Sequence, residues 1–295
     1  MKKHASGHDQ SMTAAEEQAK VRELRSVLGT LSGRSLLYCS DDCLARYLRA
    51  RSWHVKKAEK MLNEALKWRA SYKPEEIKWD DTMKEAETGK VYRTDFLDNF
   101  GRSVIVMRPA NENTHDHHAQ IKHLVYTVEN AIMSLPPGQD QMVWLIDFKG
   151  WSVRKATPVA TARETAYILQ TMYPERLSLA ILYDPPKLFE TFWALVKPFL
   201  DPKTFRKVKF VYSKTPESSK IFQELFEIDK LETAFGGSNS KTFNFVDSRS
   251  SRPIVALSEG YFRTAAQGFT YLVEHDLPTT SICDIRKSLS MLRLI

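Results

Sequence analysis

The sequence predicts an α/β fold, a largely parallel sheet with crossover helices, preceded by an all-helical N-terminal lobe. Three observations carry that prediction. From about Val91 onward, short β-branched runs alternate with helical patterns, the order that builds a parallel sheet through right-handed crossovers. The middle runs are apolar at successive positions, as strands covered on both faces must be. Before residue 80, apolar residues instead recur at helical spacing.

Taken in order, residues 1–12 show no periodicity and form a loose tail. Thr13 with Glu16 three residues on is a capping-box pattern that opens a helix carrying Val21, Leu24 and Leu28. SDDCLARYLRAR, residues 40–51, is a second helix with Leu44, Tyr47 and Leu48 on one face. A third runs from Val55 to Arg69 with Ala58, Met61, Leu62, Ala65 and Trp68 in register, and ends near Pro74. These helices make a lobe over residues 13–80. SVIVMR (103–108), MVWLID (142–147), LSLAILYD (177–184) and VKFVY (208–212) are the strands. Between them, His117 to Leu135 aligns Ile121, Leu124, Val125, Val128 and Ile132, and Thr157 to Met172 and Pro185 to Leu200 supply two more helices. The α/β domain covers residues 86–247, and the extension over 248–295 has no assigned role.

Composition narrows the function classes. In 295 residues, 42% are hydrophobic and 27% charged, which suits a globular chain and excludes a wholly disordered one. No apolar run approaches the roughly 18 residues of a membrane span, and the polar, acidic stretch after the first lysines is not a signal peptide. Three cysteines, Cys39, Cys43 and Cys283, are too few for a disulfide scaffold, so a reducing cytoplasm is expected. The net charge of +7 favours anionic partners, for which nucleic acid and acidic lipid surfaces both qualify.

The motifs of common α/β enzymes are missing. GxGxxG, GxxxxGK[ST] and GxSxG do not occur, which removes the usual phosphate cradles and the nucleophile elbow. HDHH, residues 115–118, offers metal-ligand types, but adjacent ligands rarely close a tetrahedron, and no metal is expected. Cys39 and Cys43 fit a half-buried pair at a helix start. Asp184, at a strand end before Pro185 and Pro186, fits a turn residue capping the next helix.

The informative stretch is LFETFWALVKPFLDPKTFRKVKF, residues 188–210. On a helical wheel, Leu188, Phe189, Phe192, Trp193, Leu195, Val196, Phe199 and Leu200 cover about half the circumference. Burial on the sheet would explain that arc. Lys203, Arg206, Lys207 and Lys209 follow at once, and an apolar face beside a cationic edge also suits insertion among anionic lipids.

YPERLSLAILYDPP, FWALVKPFLDPKTFRKVKF and AFGG, with DDCLARYLRARSW and EKMLNEALKWR upstream, resemble the CRAL-TRIO family from about Asp41 to Val246. The resemblance implies an α/β lobe that encloses one lipid in an internal cavity, with the helix from about Pro186 to Leu200 as a moving gate built on Phe189, Phe192, Trp193, Val196 and Phe199. It implies a phosphatidylinositol headgroup site at Arg51, Glu175, Thr204 and Lys207. These side chains offer the chemistry such a headgroup needs. They supply a planar guanidinium fork, a compact ammonium, a hydroxyl, and a carboxylate that accepts from inositol hydroxyls or orients the lysine. An Arg51–Glu175 structural ion pair and a solvated Lys207 are the plain alternatives.

Two departures from the family pattern matter. Ser52 stands where a second headgroup lysine is found, and Met142 and Trp144 occupy pocket positions that supply hydroxyls to a choline lipid. Lys203, Arg206 and Lys209 are assigned to docking on an anionic membrane. The expected function is a cytoplasmic, peripherally membrane-associated phosphatidylinositol-binding and transfer protein with no catalytic residues and no cofactor beyond its bound phospholipid. Its expected partners are that lipid, anionic membranes and lipid kinases, and not nucleic acid. A carrier of a tocopherol-, retinoid- or sterol-like molecule and a lipid-sensing regulatory module are the alternatives.

Overall fold

The computed structural model describes residues 12–241 and 243–246; residues 1–11 of the tail and the extension over 248–295 lie outside the described residues. The first helix, α1 (Ala14–Leu28), starts on the expected capping box: Glu16 N donates to Thr13 Oγ1 at 3.3 Å, and the Glu16 carboxylate accepts from Thr13 N at 2.7 Å. A short α2 (Gly33–Tyr38) follows, then α3 (Asp41–Ala50), capped by Ser40 accepting from Cys43 N, then α4 (Val55–Tyr72). Their predicted apolar faces are inside, with Leu44, Tyr47, Leu48, Ala58, Leu62 and Ala65 fully buried. Cys39 and Cys43 sit in this core, more deeply than the half-burial expected, and burial together with the neighbouring Cys43 pushes the Cys39 thiol up to about 12. A single turn, α5 (Met83–Ala86), leads into the sheet.

Five strands form that sheet in the order β1 (Val91–Leu97), β2 (Ser103–Met107), β3 (Met142–Asp147), β4 (Leu177–Tyr183) and β5 (Val208–Val211). The pair β1–β2 is antiparallel and the remaining pairs are parallel. Between successive parallel strands run α6 (His117–Met133), α7 (Val159–Met172), and then α8 (Lys187–Val196) with α9 (Pro202–Arg206). Because spatial order follows chain order, crossovers of one hand put all these helices on the same face. Ile105, Met142, Trp144 and Ala180 point to that face and share a core with α6, α7 and the N-terminal helices. Val104, Val143, Leu145, Ile181 and Tyr183 point the other way. There α10 (Pro216–Leu225) and the chain after it cover them with Phe222, Phe226, Leu231 and Phe235. Gly237 of the AFGG motif belongs to this cover: a Cβ at that position would lie 1.9 Å from the Leu231 carbonyl oxygen, so the chain passes only without a side chain.

The helical lobe is joined to the sheet through a buried ionic contact. Arg69 of α4 donates to Glu129 of α6 at 2.9 Å, and Glu129, wholly buried, also accepts from the Tyr173 hydroxyl at 2.6 Å. A buried carboxylate is tolerated only when charge and hydrogen bonds are both supplied, so this contact fixes how α4 lies against α6 and the end of α7.

Some local expectations change. The HDHH stretch is the start of α6, where Asp116 accepts from His118 N and Ala119 N at 3.1 Å each. Asp184 does not cap α8, whose N-cap is Pro186; held at a positive φ of 48°, it accepts from Ser213 N at 2.8 Å and so ties the end of β4 to the chain after β5. Helix α8 ends at Val196, earlier than Leu200, and Lys197–Phe199 tighten into a 3₁₀ turn around Pro198, which has no N–H to continue the ladder.

Candidate functional site

Where the end of α3, the turn after α7, α9 and the helix-covered face of β3 converge, a pocket of about 80 Å³ opens. Its walls include Arg51, Met142, Trp144, Glu175, Thr204 and Lys207, all of the residues assigned from sequence to the headgroup site and pocket, together with Lys203. Four segments distant in the chain thus bring them to one place.

Each is held by local backbone structure. Arg51 is the C-cap of α3, and the chain then turns through Ser52 and Trp53, with φ of 50° and 62°. Among the described residues, Arg51 makes no carboxylate contact; its Nη1 donates to the Ala50 carbonyl at 3.2 Å. Glu175 does not pair with it. Glu175 sits in the turn between α7 and β4 with φ of 58°, a left-handed conformation that is costly for a residue with a Cβ, and its carboxylate accepts from Lys207 Nζ at 3.0 Å. Thr204 lies in the first turn of α9, where Asp201 accepts from both its N–H at 2.7 Å and its hydroxyl at 3.2 Å. Gln170 of α7 fixes the approach to α9 by accepting from Asp201 N at 2.6 Å and donating to Phe199 O at 2.9 Å.

The charge balance of the pocket favours an anion. Arg176 is engaged with Asp140, which also binds Arg46 and Arg49. Among the described residues Arg51 forms no ion pair, Lys203 Nζ donates to the Arg49 carbonyl at 2.6 Å, and Lys207 has Glu175. A phosphate entering here would meet a guanidinium fork and ammonium groups at close quarters, the combination that gives the strongest hydrogen bonds. Lys203 therefore belongs to the pocket wall, whereas Arg206 and Lys209 are exposed, Lys209 on the edge strand β5.

Helix α8 lies closed over the sheet beside this pocket. Phe189 and Val196 are buried, and the Phe189 ring lies 4.3 Å from Phe148, 5.8 Å from Trp151 and 5.6 Å from Phe192, measured between centroids. Trp193 packs 5.7 Å from Phe210 and 6.2 Å from Phe205, and the Arg163 guanidinium lies 5.5 Å over Phe199. All five residues assigned to the gate thus lie buried or partly buried. The outward face carries Leu188 and Leu195, 57% and 55% exposed and two helical turns apart, which the gate assignment left out. In this conformation the pocket is far smaller than the ~300–1,000 Å³ typical of small-molecule sites.

Comparison with known proteins agrees with this architecture. The CRAL/TRIO domain profile matches residues 86–237, and the profile of the CRAL/TRIO N-terminal domain matches residues 17–64. A CRAL-TRIO domain-containing protein of Schizosaccharomyces pombe is 36% identical over 202 residues, 68% of this chain and 19% of that protein. The phosphatidylinositol transfer protein PDR17 of Saccharomyces cerevisiae is 31% identical over 219 residues, 70% of this chain and 60% of that protein. The chain thus spans less than two thirds of either relative. The crystal structure of Sfh5 superposes with a TM-score of 0.62 at 15% identity, covering 88% of this chain and 99% of that one, a likeness of fold. No described helix is long and apolar enough to cross a membrane. With the domain profile matching more than half of the chain, the N-terminal profile directly upstream, and the helical lobe and sheet arranged as described, the protein belongs to the CRAL/TRIO family.

Proposed function

We propose that the protein binds phosphatidylinositol and transfers or presents it at membranes, without a covalent step. The observation that carries this reading is the convergence of Arg51, Lys207, Thr204 and Glu175 on one pocket beneath the end of the α8–α9 segment. A phosphodiester would take charge-assisted hydrogen bonds from Arg51 and Lys207, while Glu175 orients the lysine or accepts from an inositol hydroxyl. The phosphatidylinositol transfer function that PDR17 carries in its name supports the same assignment.

The gate follows from energetics. Drawing a lipid through water would cost about 0.8 kcal/mol per exposed CH₂, on the order of 20 kcal/mol or more for two long chains. If α8 opens only while its apolar face is in a bilayer, the chains pass between two apolar media and most of that barrier disappears. The exposed cations Arg206 and Lys209 would hold the protein on an anionic surface meanwhile, at about 1 kcal/mol each. Lipid kinases are the natural recipients of lipid presented in this way, and a cytoplasmic, peripheral location fits the cycle.

Met142 and Trp144 bear on lipid choice. Neither supplies a hydroxyl to a choline headgroup, and both are buried in the pocket wall. In a vesicle-to-vesicle assay the chain is expected to move phosphatidylinositol at least tenfold faster than phosphatidylcholine, the loss roughly matching one to two unmade hydrogen bonds. Equal rates for the two lipids would remove phosphatidylinositol selectivity from the reading. Lipid binding without transfer would favour a lipid-sensing module.

A further inference from the structure

The loop between β3 and α7, residues 148–158, lies outside the pocket and presents an apolar and cationic surface of its own. Val153 is 55% exposed, and Val159, the first residue of α7, is 36% exposed. Single apolar side chains on a surface are ordinary, and what distinguishes these is the charge around them. Lys149, Arg154 and Lys155 share the loop, Arg163 follows on α7, and no acidic residue occurs between Asp147 and Glu164. All four of these cations are exposed.

The loop stands beside the first turns of α8 but is anchored elsewhere. Phe148 and Trp151 supply part of the aromatic bed under Phe189. Its hydrogen bonds run to the sheet and to itself. Phe148 N donates to the Tyr183 carbonyl at the end of β4 at 3.1 Å, Lys149 N to Asp147 Oδ1 at 2.9 Å, and Trp151 N to the Phe148 carbonyl at 3.0 Å. Lys155 Nζ donates to the Ala110 carbonyl in the turn after β2. Residues Val153–Lys155 form a 3₁₀ turn, closed by Ala156 N donating to the Val153 carbonyl at 3.0 Å, from which the Val153 side chain projects into solvent. None of these bonds involves α8, so the loop keeps its place on β3 and β4 when α8 moves.

We propose that residues 149–155 are a fixed foothold on an anionic bilayer, with Val153 entering the acyl boundary while Lys149 and Arg154 meet lipid phosphates. An exposed apolar residue flanked by cations and free of acidic neighbours in sequence complements an apolar layer under a negative surface. The inference rests on the membrane visit in the functional reading and not on which lipid is carried. It adds a division of labour: the foothold sets how tightly the protein stays on a vesicle, and α8 sets how fast lipid exchanges once it is there. Docking held by the foothold is not lost each time α8 opens.

The test uses the full chain and co-sedimentation with phosphatidylcholine vesicles prepared with and without phosphatidylserine. V153D is expected to weaken binding to the phosphatidylserine vesicles at least tenfold. K149A/R154A is expected to weaken it tenfold or more, with little effect on pure phosphatidylcholine. Both variants should melt like wild type and keep wild-type affinity for soluble glycerophosphoinositol, because neither alters the pocket wall. Transfer rate per vesicle-bound molecule should also stay unchanged. The V153D loss should recur in an L188D/L195D background, where the outer face of α8 is already disabled. A V153D protein that sediments like wild type overturns the inference, and so does one that loses nothing further in the leucine background, since docking would then run through α8 alone. Loss in K149A/R154A without loss in V153D makes the loop a purely electrostatic contact, of the kind a nucleic acid would also make, and overturns the foothold too. Should V153D melt early, V153S carries the same comparison. A wild-type chain that binds the phosphatidylserine vesicles but carries no phosphatidylinositol overturns the functional reading and leaves this inference standing, whereas one that fails to bind them overturns the inference.

Discussion

Replacing Arg51 and Lys207 together with alanine is expected to lower phosphatidylinositol transfer at least a hundredfold, since two hydrogen bonds to a charged group are each worth about 1.5–3 kcal/mol. The same double variant should keep its fold. Among the described residues the Arg51 side chain donates to its neighbour's carbonyl and forms no ion pair, and the Lys207–Glu175 pair is partly solvated. Loss of such contacts changes stability by about 1 kcal/mol or less. An R206A control, at an exposed cation outside the pocket wall, should alter vesicle docking and its salt dependence while leaving affinity for a soluble headgroup intact. Transfer at the wild-type rate by a folded R51A/K207A protein would refute the headgroup assignment.

The second large effect separates the two faces of α8. Leu188 and Leu195 face solvent, so L188D/L195D should melt close to wild type yet bind vesicles at least tenfold more weakly, because each leucine contributes about 1.5–3 kcal/mol when its apolar surface is buried. Phe189 sits against Phe148 and Trp151, and F189D would place a carboxylate without a partner in that bed, at a cost of several kcal/mol. The melting temperature of F189D should therefore fall first, with loss of docking only as a consequence. Raising the ionic strength should weaken docking on anionic vesicles and leave binding to neutral ones nearly unchanged. Vesicle co-sedimentation and thermal melts on both variants decide the matter: a leucine double variant that sediments like wild type would show that the outer face of α8 does not enter the bilayer.

What the sequence revealed divides along physical lines. The strands β2 to β4 and the helices α1, α3, α4, α6 and α7 were legible because each buries an apolar face, so hydrophobic patterning reports them directly, and the short edge strand β5 was legible from its β-branched and aromatic run VKFVY. Strand β1 was not. Its residues VYRTDFL mix charge with apolar positions because it is an edge strand with one flank unpaired. The short helices α2, α5 and α9 are fixed by turns and caps, which carry little periodic signal. In the pocket, residue types gave the chemistry and the family resemblance gave the positions. Pairing was not readable: Glu175 could face Arg51 or Lys207, and the fold pairs it with Lys207 from a left-handed turn. Lys203 was grouped with its exposed neighbours by proximity in sequence, yet the first turn of α9 directs it to the Arg49 carbonyl.

The most direct test of the central claim is mass spectrometry of the lipid that co-purifies with the intact chain. Phosphatidylinositol, stoichiometric with the wild-type protein and depleted in R51A/K207A, is the result expected. A retinoid, tocopherol or sterol in its place, held equally well by both proteins, would contradict it.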